Sequence, residues 1–116
     1  MLVLFYPKCG TCRKALKWLE EHQIAADLRN IVENNPKEDE LKGWIEKSGL
    51  SVAKFFNTSG LLYKERNLKE VVKAASTEEL IRVLSENGML VKRPLVIADD
   101  FVLVGFKEDE WSSRLL

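Results

Sequence analysis

The chain has few of the residues that hold small metal-bound or disulfide-stapled domains together: of 116 residues, two are cysteine and one is histidine. A structural zinc site needs four nitrogen or sulfur ligands, and His22 lies well beyond Cys12, so no metal is expected. Charge of one sign is also missing, because 18 basic and 18 acidic residues cancel. A nucleic-acid or membrane-surface binder would carry a basic excess, so neither partner is expected. No apolar run approaches the roughly 20 residues of a membrane-spanning helix. The N-terminus lacks the charged segment, apolar stretch and cleavage site of a secretion signal, which makes the cytoplasm the expected compartment. A Gly-rich phosphate loop is absent too, so no bound nucleotide, flavin or other cofactor is expected. There are no internal repeats and no low-complexity segments.

What is present starts with both cysteines in one stretch, Tyr6-Pro7-Lys8-Cys9-Gly10-Thr11-Cys12-Arg13-Lys14. It follows an apolar run and precedes a helical pattern. A C-x-x-C at such a handover sets its first sulfur beside unpaired N–H groups and the positive end of the helix dipole, which favour thiolate. Cys9 is therefore the expected nucleophile. Cys12, one turn further in, stands where a resolving thiol would attack a mixed disulfide at Cys9. Lys8 and Arg13 flank the pair and should depress the Cys9 pKa further. Half of a zinc site and a pair of inert buried cysteines remain as alternatives, but two cysteines in a reducing compartment favour catalysis or sensing over structure.

Composition fits one soluble domain spanning 1–116, with 46% hydrophobic and 31% charged residues. Leu2 to Tyr6 is apolar without alternation, which predicts a strand covered on both faces. Cys12, Ala15, Leu16 and Leu19 recur at helical spacing over residues 11–22, opposite Lys14, Lys17, Glu20 and Glu21. Residues 25–31 read as a second strand, giving a βαβ unit with parallel strands. Asn35 is the expected N-cap of the next helix, with Pro36 at its first position and Gly49 at its end. A short helix from Ser51, a turn at residues 57–60, a loop over 61–67 and a helix over 68–75 follow. Ser76-Thr77-Glu78-Glu79 is a capping box that opens a helix ending near Asn87-Gly88. Two β-rich runs, 95–98 and 101–104, flank Asp99-Asp100 as an antiparallel hairpin. A last helix runs from Glu108 to about Arg114.

A βαβ unit, a helical insertion over approximately 33–88 and a ββα unit together make the layout of an α/β thioredoxin-like fold with a four-stranded mixed sheet. In that fold a proline, commonly cis, opens the third strand against the cysteines. Pro94 occupies this place and is read as cis, although a proline that merely ends a loop before a strand is tolerated there as well.

Several spaced blocks carry a family resemblance: Cys9 to Lys14, Glu40-Leu41-Lys42 to Gly49-Leu50-Ser51, Phe55 to Gly60, Lys92-Arg93-Pro94-Leu95, and Val104 to Glu110. Over essentially its full length the chain resembles the ArsC/Spx family. That family comprises glutaredoxin-coupled arsenate reductases, Spx transcriptional regulators and small relatives without an assigned substrate. In the reductases one cysteine attacks the oxyanion and three arginines hold it, since a multiply charged anion needs bidentate donors. Cys9 matches that cysteine and Arg93 the arginine beside the proline. Asn57 stands where the second arginine would lie, and Phe106 followed by Lys107 where the third would. The reductases typically lack a cysteine at the Cys12 place, so the dithiol resembles Spx and the unassigned relatives more. The regulators bind the C-terminal domain of the RNA polymerase α subunit, use C-x-x-C as a disulfide switch, and carry a charged C-terminal extension beyond the place of Leu116; their middle block differs from Phe55 to Gly60.

The resulting expectation is a thiol–disulfide oxidoreductase or ArsC-family reductase with Cys9, Cys12 and Arg93 as its catalytic residues. Thr11, Arg13, Asn57 and Pro94 are the expected substrate contacts. Arg93 over the cysteines would hold thiolate and an anionic substrate group; its alternative is an exposed base beside a proline. Thr11 is equally a helix cap, and Asn57 equally part of a polar turn. An external thiol reductant from a glutathione, glutaredoxin or thioredoxin system is implied. The implied partner is a small thiol or oxyanion substrate, or a thiol–disulfide protein. The alternatives are a redox-sensing regulator that binds RNA polymerase and a glutaredoxin-coupled arsenate reductase.

Overall fold

Strand β1 (Leu2–Phe5) lies inside a four-stranded sheet of order β2-β1-β3-β4 in the computed structural model, which describes residues 1–116. β2 (Asp27–Asn30) pairs parallel with β1, while β3 (Leu95–Ile97) pairs antiparallel with both β1 and β4 (Val102–Val104). The mixed sheet is the expected one. Successive strand residues point to opposite faces, and both faces are covered. Val3, Val96 and Leu103 join Ala15, Trp18 and Leu19 of α1 (Gly10–Glu21) and Trp111 of the C-terminal helix in one buried cluster. Leu4, Leu95 and Val102 join the larger cluster formed with the helical insertion. Val3 and Leu4 are both fully buried, which explains a run without alternation. Burial of each such side chain is worth about 1.5–3 kcal/mol.

The insertion consists of α2 (Glu38–Ser48), a 3-10 turn (Val52–Phe55), α3 (Leu61–Glu65), α4 (Leu68–Ala74), α5 (Thr77–Glu86) and a second 3-10 turn (Gly88–Leu90). α6 (Glu108–Leu115) closes the chain. Gly49 ends α2 in the left-handed region at φ 70°, and Ser76 caps α5 by accepting from the Glu79 N–H at 3.2 Å. No helix is long and apolar enough to cross a membrane.

Two expectations fail locally. Residues 61–65 form a helix instead of a loop, because Leu62 and Tyr63 find the large cluster to pack against. Asn35 does not cap α2; its side-chain amide donates to the Ser85 carbonyl at 2.6 Å, and the helix starts later, at Glu38. The Glu40 carboxylate takes over the end of α2, accepting from the Lys37 N–H at 3.1 Å. It also receives both arms of Arg29, at 2.7 and 2.9 Å, which ties β2 to α2.

The hydrogen bonds from Arg29 lower the Glu40 pKa against the opposing effect of partial burial, with the Lys37 N–H helping. A carboxyl depressed in the folded state stabilises fully above its unfolded pKa, about 4.3, and loses that contribution as pH falls through the folded value. Glu40→Gln is therefore expected to cost on the order of 1 kcal/mol at neutral pH. Urea unfolding of both proteins should show the gap closing in acid.

Candidate functional site

Between β1 and α1 the chain turns through Tyr6-Pro7-Lys8, and the Cys9 N–H donates to the Tyr6 carbonyl at 3.0 Å. Cys9 is itself the N-cap of α1, with extended backbone, and Cys12 is the third helical residue. Both thiols are free, Cys9 half-buried and Cys12 buried. Burial pushes the Cys12 thiol up to about 12. The Tyr6 N–H on its sulfur at 3.4 Å opposes this shift, and the neighbouring Cys9 adds to it.

Cys9 moves the other way. Its partial burial favours the thiol, but the Cys12 N–H, the Cys12 thiol and the Arg93 guanidinium outweigh burial and lower its pKa. Its side chain makes no capping hydrogen bond to α1. The pair thus divides into a sulfur whose surroundings favour thiolate and one held protonated behind it.

Arg93 supplies the positive charge that the flanking residues were expected to provide. Lys8 and Arg13 are exposed, and neither contributes to the Cys9 shift. Arg13 does not join the cleft either: it follows the buried Cys12 by one residue, and a helix turns about 100° per residue, which puts it on the solvent face. Arg93 is held by its Nη1, which donates to the Met89 carbonyl at 3.3 Å, and by the Tyr6 ring, 5.3 Å from the guanidinium carbon. Its Nε is buried without a hydrogen-bond partner. The Arg93–Pro94 peptide is cis, as read. Pro94 is buried and lies outside the cleft lining, with its carbonyl accepting from the Gly105 N–H at 2.8 Å.

Above Cys9 opens a cleft of about 330 Å³. α1 and the turn before it contribute Cys9 and Thr11, the turn after the first 3-10 segment Asn57, Ser59 and Gly60, and the approach to β3 Lys92 and Arg93. The loop after β4 adds Gly105, Phe106 and Lys107. Two walls are lashed together by the Lys92 N–H on the Phe55 carbonyl at 2.7 Å and the Asn57 N–H on the Leu90 carbonyl at 2.8 Å. A Cβ at Gly60 would stand 2.7 Å from the Asn57 amide nitrogen, so a side chain there would push the Asn57 amide aside. The β4–α6 loop is pinned by the Trp111 indole N–H, which donates to the Gly105 carbonyl at 3.1 Å, and by the Phe106 ring stacked edge-on to Trp111.

Cys9, Thr11, Asn57 and Arg93 thus converge as expected, with Cys12 beneath them. Lys92 and Lys107 were visible as neighbours of Arg93 and Phe106, yet no spacing rule aimed them at Cys9. No grouping of three or more His, Cys, Asp or Glu side chains could hold a metal ion.

Alkylation should report this arrangement. In the native protein, iodoacetamide is expected to modify Cys9 with a pH midpoint below the ordinary thiol value of about 8.5, leaving Cys12 unmodified. Arg93→Ala is expected to move that midpoint upward. A wild-type midpoint at or above the ordinary value would contradict the geometry.

Comparison with known proteins gives a consistent picture. The ArsC family model matches residues 4–113. A solved ArsC family related protein from Bacteroides fragilis is 54% identical, with a TM-score of 0.94 over 97% of this chain and 94% of its own. An arsenate reductase from Vibrio cholerae is 28% identical, with a TM-score of 0.87 over 98% and 96%. The global transcriptional regulator Spx of Bacillus subtilis is 32% identical over 90% of this chain and 78% of its own length.

Proposed function

The chain belongs to the ArsC family, and from that premise we propose that it is a thiol–disulfide oxidoreductase in which Cys9 attacks and Cys12 resolves. The observation that carries this reading is the placement of two free sulfurs within one helical turn, Cys9 half-buried at the N-cap on a cleft shared with Arg93 and Cys12 buried behind it, with pKa values displaced in opposite directions. The Cys9 thiolate attacks a disulfide R–S–S–R′, forms Cys9–S–S–R and expels R′S⁻, which takes up a proton. In the mixed disulfide Cys9 no longer carries charge, so part of what held Cys12 protonated disappears. Cys12 then loses its proton, attacks the Cys9 sulfur and expels RS⁻, leaving a Cys9–Cys12 disulfide. An external thiol system returns the two electrons. Arg93 keeps Cys9 ionised and, with Lys92 and Lys107, favours anionic groups in the cleft.

The test is stoichiometric oxidation of the reduced protein by hydroxyethyl disulfide. A mass loss of two hydrogens is expected, with both thiols protected from alkylation, and reversal by glutathione with glutaredoxin or by a thioredoxin system. Retention of two free thiols would overturn the reading.

Two further readings each rest on one observation. Arg93 beside Cys9, with Lys92 and Lys107 on the same cleft, favours an oxyanion and hence arsenate reduction, although Asn57 and Lys107 replace bidentate arginines with weaker, less directional donors. Arsenate turnover with glutathione and glutaredoxin, compared with Arg93→Ala, decides this. Similarity to Spx favours a redox-switched regulator, for which oxidation-dependent capture of the RNA polymerase α subunit is the test.

A further inference from the structure

The helical insertion does more than cover the sheet. A second cavity of about 660 Å³ lies between it and β4, larger than the cleft over Cys9. It is a groove open to solvent, and its apolar wall is formed by residues that include Phe56, Tyr63 and Val72 of the insertion and Val102 of β4. Apolar side chains gathered in a surface groove of this volume, with a few polar groups among them, have the character of a ligand pocket. The cavity adjoins the cleft, with Lys92, Val104 and Lys107 lining both. Neither lysine is in a salt bridge. Glu110 is the one carboxylate on the second cavity's lining, set against three lysines there, Lys54 included. The order of features along the surface is thus a nucleophilic sulfur, a pair of free cations, and an apolar chamber.

Resting on the Cys9 reading above, we propose that the second cavity holds the apolar body of a disulfide substrate whose captured half also carries a carboxylate, received by Lys92 and Lys107 where the two cavities meet. This narrows the substrate class to carboxylate-bearing, aromatic-sized apolar thiols in their disulfide form. The chemistry is unchanged: Cys9 bonds to the sulfur of the seated half, the other half leaves as thiolate and takes a proton, and Cys12 then releases the seated half as a thiol. The insertion selects the substrate, while the C-x-x-C segment performs the exchange.

Four disulfides separate charge from bulk: dithiobis-nitrobenzoate (aromatic, anionic), dithiodipyridine (aromatic, neutral), dithiodipropionate (small, anionic) and hydroxyethyl disulfide (small, neutral). Each oxidation rate of the reduced protein is divided by the rate of the same disulfide with mercaptoethanol thiolate, which removes intrinsic reactivity. The normalised rate for dithiobis-nitrobenzoate is expected to exceed each of the others by about tenfold or more. Val72→Glu on α4, and Leu50→Glu at the partly exposed mouth of the same cavity, should each lower the preference for it over hydroxyethyl disulfide by about tenfold. Lys107→Ala should lower its preference over dithiodipyridine. Equal normalised rates across the four disulfides, or a preference unmoved in both glutamate variants, would overturn the proposal while leaving Cys9 as the attacking thiol. Failure of all four to oxidise the protein would overturn the Cys9 reading, and this proposal with it.

Discussion

Cys12→Ser is expected to halt the protein at its first covalent step. With disulfide and an external thiol present, the variant should accumulate a Cys9 mixed disulfide, visible as an intact-mass increase equal to the captured half. Steady-state disulfide reduction should fall by about a hundredfold or more, since an adjacent thiol acts at an effective concentration that a free thiol in solution does not reach. The substitution is small and the site is sheltered, so folding should persist. The Tyr6 N–H that now meets the Cys12 sulfur at 3.4 Å retains a hydroxyl oxygen as acceptor. Turnover of Cys12→Ser at the wild-type rate would show that an external thiol resolves the adduct. That result would move the protein towards the single-cysteine chemistry of an arsenate reductase.

The second large effect lies far from the sulfur in sequence. Gly88→Ala is expected to destabilise the fold by about 3 kcal/mol, lowering the melting temperature by roughly 10 °C. A Cβ at Gly88 would fall 1.8 Å from the Ile31 carbonyl oxygen and 2.6 Å from its carbon. Both are backbone atoms just past the end of β2 and have no rotamer to escape into. Gly88 opens the 3-10 turn whose Met89 carbonyl accepts from Arg93, so any accommodation displaces the anchor of the guanidinium that helps lower the Cys9 pKa. Thermal unfolding would measure the first effect and the alkylation midpoint of Cys9 the second. A stable variant with an unchanged midpoint would show that the turn and Arg93 move independently.

Both predictions combine what could be read along the chain with what could not. The C-x-x-C at a helix start, the proline before β3, and the apolar runs that became β1, β3 and β4 were legible because each depends on neighbours within a few residues. The start of α2 was misplaced because Asn35 satisfies its side chain on Ser85, a partner far along the chain. Residues 61–65 were assigned to a loop because their helix gains stability from packing on the insertion cluster more than from any local pattern. Arg13 was assigned to the site by adjacency alone, and helical geometry turned it outward.

By itself the sequence determined where the cysteine pair would be, at the start of the first helix, and that the sheet would be mixed. Those features follow from local backbone hydrogen bonding and from periodicity. Only the tertiary structure decided which cations face Cys9, why Cys12 stays protonated, and that an apolar chamber adjoins the cleft. The cleft depends on Asn57, on Lys92 with Arg93, and on Lys107 arriving from three separate segments, and the Cys12 proton on burial beside Cys9; no rule of spacing along a chain encodes the distances between such segments once the core has closed around them.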